Sequence, residues 1–293
     1  LIGLDHGMAF VVGGIGGQFA QRVGQAETDH APHLLPAGRT GTRLGATTLY
    51  DHMFMDGLED AYTGRAMGTF AQETADQRGL TREAMDAFAI ESLSRAKAAI
   101  EDGSLKPETV PVTVKTRKGE TVVEDDEQPH KAAVDKIPGL RPAFAKEGTI
   151  TAANSSSISD GASALVLMSG SEAGRRGISG TAELVAHARH SQAPEEFTLA
   201  PIGAISKLLD KTGWSVDDVD LFEINEAFAM VTMLSMLDLG LPHEKVNIHG
   251  GACAQGHPIG STGSRIIVSL MYALKKTGGK RGIAALCIGG GEA

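Results

Sequence analysis

Hydrophobic positions along the chain switch between helical and extended periods. From Thr81 to Asp102, Met85, Phe88, Leu93, Ala96 and Ile100 recur at intervals of three to five, behind a threonine cap and an acidic first turn at Glu83 and ahead of a stop at Gly103. This predicts an amphipathic helix whose work is packing. Val110–Val114 and Glu120–Val123 alternate around Lys118-Gly119 and predict a hairpin. Ala164–Met168 and Ala182–His187 read as buried strands, and Pro201–Leu209 as a helix with proline in its first turn, ending before Gly213. Val219–Ile224 is a short apolar strand that runs directly into Asn225-Glu226-Ala227-Phe228-Ala229, the start of a helix that continues through Val231, Leu234 and Leu237 to Gly240. A further apolar strand, Ile283–Ile288, leads to the glycine turn at the end of the sequence. Alternating strand and helix in this second half predict an α/β sheet covered by helices.

The densest glycine usage falls between these elements, in Asn247-Ile248-His249-Gly250-Gly251-Ala252-Cys253-Ala254-Gln255-Gly256-His257-Pro258-Ile259-Gly260-Ser261-Thr262-Gly263-Ser264-Arg265. The amphipathic run Ile266, Ile267, Leu270, Met271, Leu274 follows, so His257 belongs to a tight loop that feeds a helix N-terminus. Asn225, His257 and Cys287 each stand where a strand meets a loop. A second glycine-rich stretch, Ala9–Ala20, reads as a strand and turn. It lacks the third glycine of a dinucleotide fingerprint, where Phe19 stands, and has no acidic partner after a second strand.

Composition narrows the classes. With 42% hydrophobic and 22% charged residues over 293 positions, the chain is of the globular kind. No apolar stretch is long enough to cross a bilayer, and no basic leader precedes Phe10. A net charge of −9 argues against a nucleic-acid surface. The two cysteines, Cys253 and Cys287, have neither disulfide nor zinc spacing, which implies a reducing, cytoplasmic setting and no metal. Arg39 and Arg43, between glycines, suggest an irregular loop; Met53–Leu58 and Tyr62–Gly68 have turn-like spacing, and Glu124–Glu127 reads as a solvated acidic loop.

The blocks NEAFA (Asn225–Ala229), GGACAQGHPIGSTGSR (Gly250–Arg265) and CIGGGEA (Cys287–Ala293) resemble the three C-terminal signatures of the thiolases, the acetyl-CoA acetyltransferases, and the likeness runs from about His30 to Ala293. The resemblance implies a layered α/β/α/β/α fold in two similar halves. Residues 1–30 would be a remnant of the first half, 31–160 a lid that binds coenzyme A, and 161–293 the C-terminal core half. It implies that Cys287 exchanges the α-proton of the second acyl group, that the Gly289 amide serves one oxyanion hole, and that His257 with Asn225 and its water serves the other. Met67, His130, Phe144, Ala152, Ser156 and Phe228 would line the acyl and coenzyme A path. Acyl-CoA and coenzyme A would be substrates, with no separate cofactor and a homo-oligomeric assembly.

Three departures stand out. The family's His-Met-Gly beside the acyl pocket reads Ala66-Met67-Gly68, and its arginine near the nucleotide end of coenzyme A is replaced by His130, followed by Lys131. The acyl-carrying cysteine of the family's N-terminal half has no counterpart between Leu1 and His30. Cys253 reads as packing, and Glu226 as either a site residue or a helix-dipole partner. The chain is thus either a piece of a working thiolase or a catalytically incomplete, coenzyme-A-binding relative or subunit.

Overall fold

The computed structural model describes residues 7–11, 33–34, 41, 44–117 and 119–293. The strands are β1 (Gly7–Val11), β2 (His33–Leu34), β3 (Tyr50–Asp51), β4 (Val112–Thr116), β5 (Gly119–Val123), β6 (Glu183–Ala188), β7 (Leu221–Ile224) and β8 (Arg281–Ala285). The helices are α1 (Met67–Gln77), α2 (Arg82–Glu101), α3 (Glu127–Lys131), α4 (Gly170–Arg176), α5 (Ala200–Thr212), α6 (Ala229–Leu239), α7 (Ala252–Gln255) and α8 (Ile259–Thr277). Four strands form a parallel sheet in the order β6-β1-β8-β7. The strand expected near Ala9 is β1; the glycine turn after it, His30, and the loop with Arg39 and Arg43 lie outside the described residues.

Period-two alternation decides which helix each strand residue meets. Ile283 and Ala285 of β8, with Phe222 and Ile224 of β7, pack on Ala204, Ile205 and Leu208 of α5. Ala284 and Leu221 point the other way, onto Ile266, Leu270 and Leu274 of α8. Helix, sheet and helix thus make three of the expected layers. A separate cluster joins Met67, Phe70 and Ala71 of α1, Met85 and Phe88 of α2, and Met230, Val231 and Leu234 of α6, with Cys287 at its edge. Each such fully buried large apolar side chain contributes roughly 1.5–3 kcal/mol. Helices from the segment read as a lid therefore pack directly against the C-terminal core.

The helix at α2 forms as its periodicity requires, with Thr81 Oγ1 accepting from Ala84 N at 3.2 Å. The hairpin is β4–β5. Ala164–Met168 departs from expectation: it forms no strand, and Val166 and Leu167 are 87% and 71% exposed. An apolar run becomes a strand only where a neighbour supplies its ladder, and no pairing of this run is present among the described residues. Ala182–His187 does become strand β6, yet it is half open, with Leu184 45% exposed. Phe54–Leu58 winds into a short helical turn, Glu127 opens α3 in place of a loop, and α6 begins at Ala229, so Asn225 and Glu226 precede that helix.

One residue of β7 breaks the apolar rule. Glu223 shares the face of Leu221, towards α8, and is only 3% exposed. Burial pushes its carboxyl up to about 8, with Arg265 too weak an offset and Glu108 and Glu226 adding repulsion. A folded pKa raised above the unfolded value means stability that is full below pH 4.5 and lost as pH rises to about 8. His257, lowered from 6.5 to about 4, acts in the opposite sense and costs stability as pH falls through that window. Glu223→Gln is therefore expected to gain stability relative to the parent between pH 5 and pH 8, by on the order of 2 kcal/mol, in urea melts at a series of pH values. A pH-independent difference would contradict the assignment.

Candidate active site

β7 and β8 end side by side, with Ile224 opposite Ala285. The next residue of the first, Asn225, donates its N–H to Ala285 O at 2.9 Å, so Asn225 and Cys287 leave the same carboxyl edge of the sheet. The glycine-rich loop is fastened to that edge by Asn247. Its side-chain Oδ1 accepts from Ile224 N and its Nδ2 donates to Ile224 O, both at 2.8 Å, as a neighbouring strand would. Asn247 takes φ +48°, a conformation that asparagine tolerates better than most residues. Beyond it, Gly256 turns at φ +90° where a Cβ would strike Ser159, and His257 N then donates to Ser157 O at 3.1 Å.

This delivers His257 to Asn225. Nε2 of the ring lies 3.4 Å from Asn225 Nδ2, and Nδ1 lies 2.6 Å from Thr262 Oγ1, one turn into α8. The Thr262 hydroxyl also reaches Pro258 O at 2.9 Å. Its single proton can go to only one of these. Given to Pro258 O, it leaves the ring proton on Nδ1; given to Nδ1, it places the proton on Nε2, facing Asn225. Burial, with Arg265 as a lesser cause, lowers the ring's pKa to about 4, so at neutral pH the imidazole is uncharged. Asn225 Oδ1 is buried without a partner among the described residues. An oxygen about 2.9 Å from both nitrogens would complete a triangle on the 3.4 Å edge, which is the geometry of a two-donor oxyanion site.

On the other side stands an apolar wall. Cys287, 7% exposed, clusters with Met67 and Phe228, and Phe144 packs against the same group. Phe144 and Phe197 each meet Phe228 edge to face, at centroid distances of 6.0 and 6.4 Å. Gly68 is what admits Phe144, since a Cβ there would run into the ring. Gly289 sits over Met67 and takes part in neither of the two backbone bonds between Ile288 and Glu292, so its amide is not consumed by that turn. Burial raises the Cys287 thiol to about 12. The thiol of Cys253 is raised as well, by burial and by the neighbouring Glu226, whose Oε2 accepts from Cys253 N at 3.0 Å. Cys253 packs on the same cluster, and among the described residues the charged group acting on it is the acid Glu226, not a cation.

The remaining candidates lie farther along one face. Ser156 donates both N–H and Oγ–H to Ala227 O, at 3.1 and 3.0 Å, which ties the serine segment to the corner next to Phe228. Its hydroxyl proton is thereby committed, and only its lone pairs remain for a ligand. Ala152 is exposed, and His130 is exposed on α3, which packs against α7 just ahead of His257. Asn247 and Thr262 carry no role in the motif reading. Asparagine shortly before a double glycine is the one local sign of the first; the second shows no sign until α8 brings it under the ring. Among the described residues no group of three or more His, Cys, Asp or Glu side chains could hold a metal ion, and no helix is long and apolar enough to cross a membrane.

Comparison with known proteins agrees with this geometry. Two family descriptions match, "Thiolase, N-terminal domain" over residues 19–171 and "Thiolase, C-terminal domain" over 178–293. The likeness thus starts ahead of His30, earlier than the motifs indicated. An acetyl-CoA acetyltransferase of Chromobacterium violaceum is 44% identical over 92% of this chain and 69% of its own. The crystal structure of the Bacillus anthracis acetyl-CoA acetyltransferase superposes with a TM-score of 0.85 at 41% identity, covering 89% of this chain and 66% of that one. A thiolase from Ascaris suum in complex with coenzyme A superposes at 0.80 and 36% identity over the same shares. This chain therefore spans about two thirds of the length of the relatives it matches. The two profiles cover most of it, and the chain belongs to the thiolase family.

Proposed function

We infer that this chain belongs to an acetyl-CoA acetyltransferase that works on 3-oxoacyl-CoA and acetyl-CoA, and that it supplies the oxyanion and proton-transfer groups of that reaction. The observation that carries the reading is the pair Asn225 and His257, two neutral nitrogen groups 3.4 Å apart, at the sheet edge that also ends in Cys287. Carbon–carbon bond formation or cleavage between thioesters passes through an enolate, which needs donors at its oxygen and an acid or base at its carbon. With its proton on Nε2, His257 joins Asn225 Nδ2–H as the donor pair for the thioester oxygen. Cys287, kept as a thiol by burial, hands its proton to the enolate carbon in the cleavage direction and takes one back in the reverse. The Gly289 amide serves the second oxyanion.

Coenzyme A, on this reading, runs from His130 past Ala152 and Ser156 to His257, with Phe144, Phe228 and Met67 walling the acyl end. The contacts of Ser156 with Ala227 support that path, because the serine segment borders the corner that carries Asn225. Two unpaired cysteines fit a reducing, cytoplasmic setting, and the family assembly would be a homo-oligomer. A second reading, in which the 293-residue polypeptide alone binds coenzyme A without turnover, is favoured by Cys253. Its thiol lies beside a buried carboxyl and is held protonated, unsuited to carrying an acyl group.

Ser156→Trp is expected to weaken coenzyme A binding at least tenfold in calorimetry, while the melting temperature stays near that of the parent. Unchanged affinity would remove the proposed path. The 293-residue polypeptide, of verified mass, is expected to show no thiolysis of acetoacetyl-CoA, since loss of an acyl-carrying nucleophile costs on the order of 10⁶ in rate. Turnover abolished by Cys253→Ala would show instead that Cys253 carries the acyl group.

A further inference from the structure

Glu226 is fully buried and precedes α6, so it is no partner of that helix's first turn. Its carboxyl instead reaches into the glycine-rich loop from three directions. Oε1 accepts from Asn247 Nδ2 at 2.8 Å; Oε2 accepts from Ser92 Oγ of α2 at 2.8 Å and from Cys253 N at 3.0 Å. Ser92 Oγ in turn accepts from Gly251 N at 2.9 Å. Gly251 has to be glycine here, because a Cβ would overlap the Glu226 carboxyl, and Gly250, at φ +77°, lies against the α2 backbone at Ser92 and Ala96. The carboxyl thus binds both ends of the arch from Asn247 to Cys253 and ties it to α2.

We propose that Glu226 is a positioning residue for acetyl transfer: by clamping Asn247 and Cys253 it fixes the loop so that His257 meets Asn225, the residue just before Glu226 in the chain. The site needs this because Asn225 and His257 arrive on separate segments, and their nitrogens must face one oxygen to within a few tenths of an ångström. Glutamine cannot replace the clamp. Asn247 cannot turn its amide over, since Oδ1 and Nδ2 are already assigned by Ile224 N and Ile224 O. A glutamine side chain in place of Glu226 would therefore set its NH₂ against either the Asn247 NH₂ or the Cys253 N–H, with Ser92 left to choose. The conflict holds whatever the protonation of the native carboxyl.

The inference rests on the reading of Asn225 and His257 as the thioester site, and coenzyme A calorimetry on the same samples reports on that reading separately. The test of Glu226 is direct: nuclear magnetic resonance titration of the His257 ring in Glu226→Gln, alongside the rate at which Cys253 reacts with iodoacetamide. Arg265 of α8 is the charged group acting on that ring, and it also faces the Glu226 and Glu223 carboxyls, so loss of an acid near Arg265 is common to Glu226→Gln and its control. Glu223→Gln is the control, an equally buried acid on the adjacent strand with no bond to the loop. In a folded Glu226→Gln protein the His257 midpoint should rise by at least about one unit towards 6.5, and Cys253 should alkylate at least about tenfold faster, with neither change in the control. Ser92→Ala, which removes one donor and the Gly251 tie, should move the ring the same way by less, and it decides the matter if Glu226→Gln does not fold. A His257 titration unchanged in the folded Glu226→Gln protein, or in Ser92→Ala where that one cannot be obtained, overturns the proposal.

Discussion

Most of what is distinctive in this molecule depends on one side-chain amide. β7 has β8 on one flank; on the other, Val246 bridges to Phe222, and Asn247 N donates to Phe222 O at 2.9 Å. That short run of pairing would stop with Ile224 N–H buried and unmet, and with Ile224 O left to the Thr232 hydroxyl alone, at 3.2 Å. The Asn247 side chain supplies a partner to each. An unmet buried N–H would cost on the order of 1–3 kcal/mol, so the loop is not free to leave without a penalty. A strand's need for a neighbour thereby becomes the device that anchors the glycine-rich loop.

Desolvation sets the protonation states that follow. The site has no bound charge of its own: His257 is lowered to about 4 and Cys287 raised to about 12, both chiefly by burial. A neutral imidazole can donate to an oxyanion without first repelling or neutralising other groups, and a thiol with a high pKa is a reservoir of one transferable proton. The same burial, with Glu226 beside it, raises the Cys253 thiol as well. Of the two cysteines on one apolar cluster, Cys253 is the one with an acid beside it.

Much of this was legible in the residues. The cap, apolar stripe and glycine stop of α2 and the alternation of β4 and β5 are local properties and form as read, whereas the helix after β7 begins at Ala229, later than Asn225. The three signature blocks placed Asn225 and His257 together across 32 positions. What stayed hidden is non-local. Ala164–Met168 has strand composition but no pairing among the described residues, and composition cannot report a neighbour. Gly68 is ordinary until Phe144 arrives 76 positions later, and Thr262 has no meaning until α8 turns its hydroxyl under the His257 ring. Glu226 reads two ways in the sequence because periodicity does not show that α6 starts three residues later, which frees the carboxyl for the loop.

The claim that Asn225, His257 and Cys287 serve one thioester is tested most directly by a crystal structure of the chain with acetyl-CoA bound. The account predicts the thioester oxygen within about 3.2 Å of both Asn225 Nδ2 and His257 Nε2, and the acetyl methyl against Cys287 Sγ. A Cys287 sulfur more than about 8 Å from the His257 ring, or a thioester bound away from this sheet edge, would contradict it.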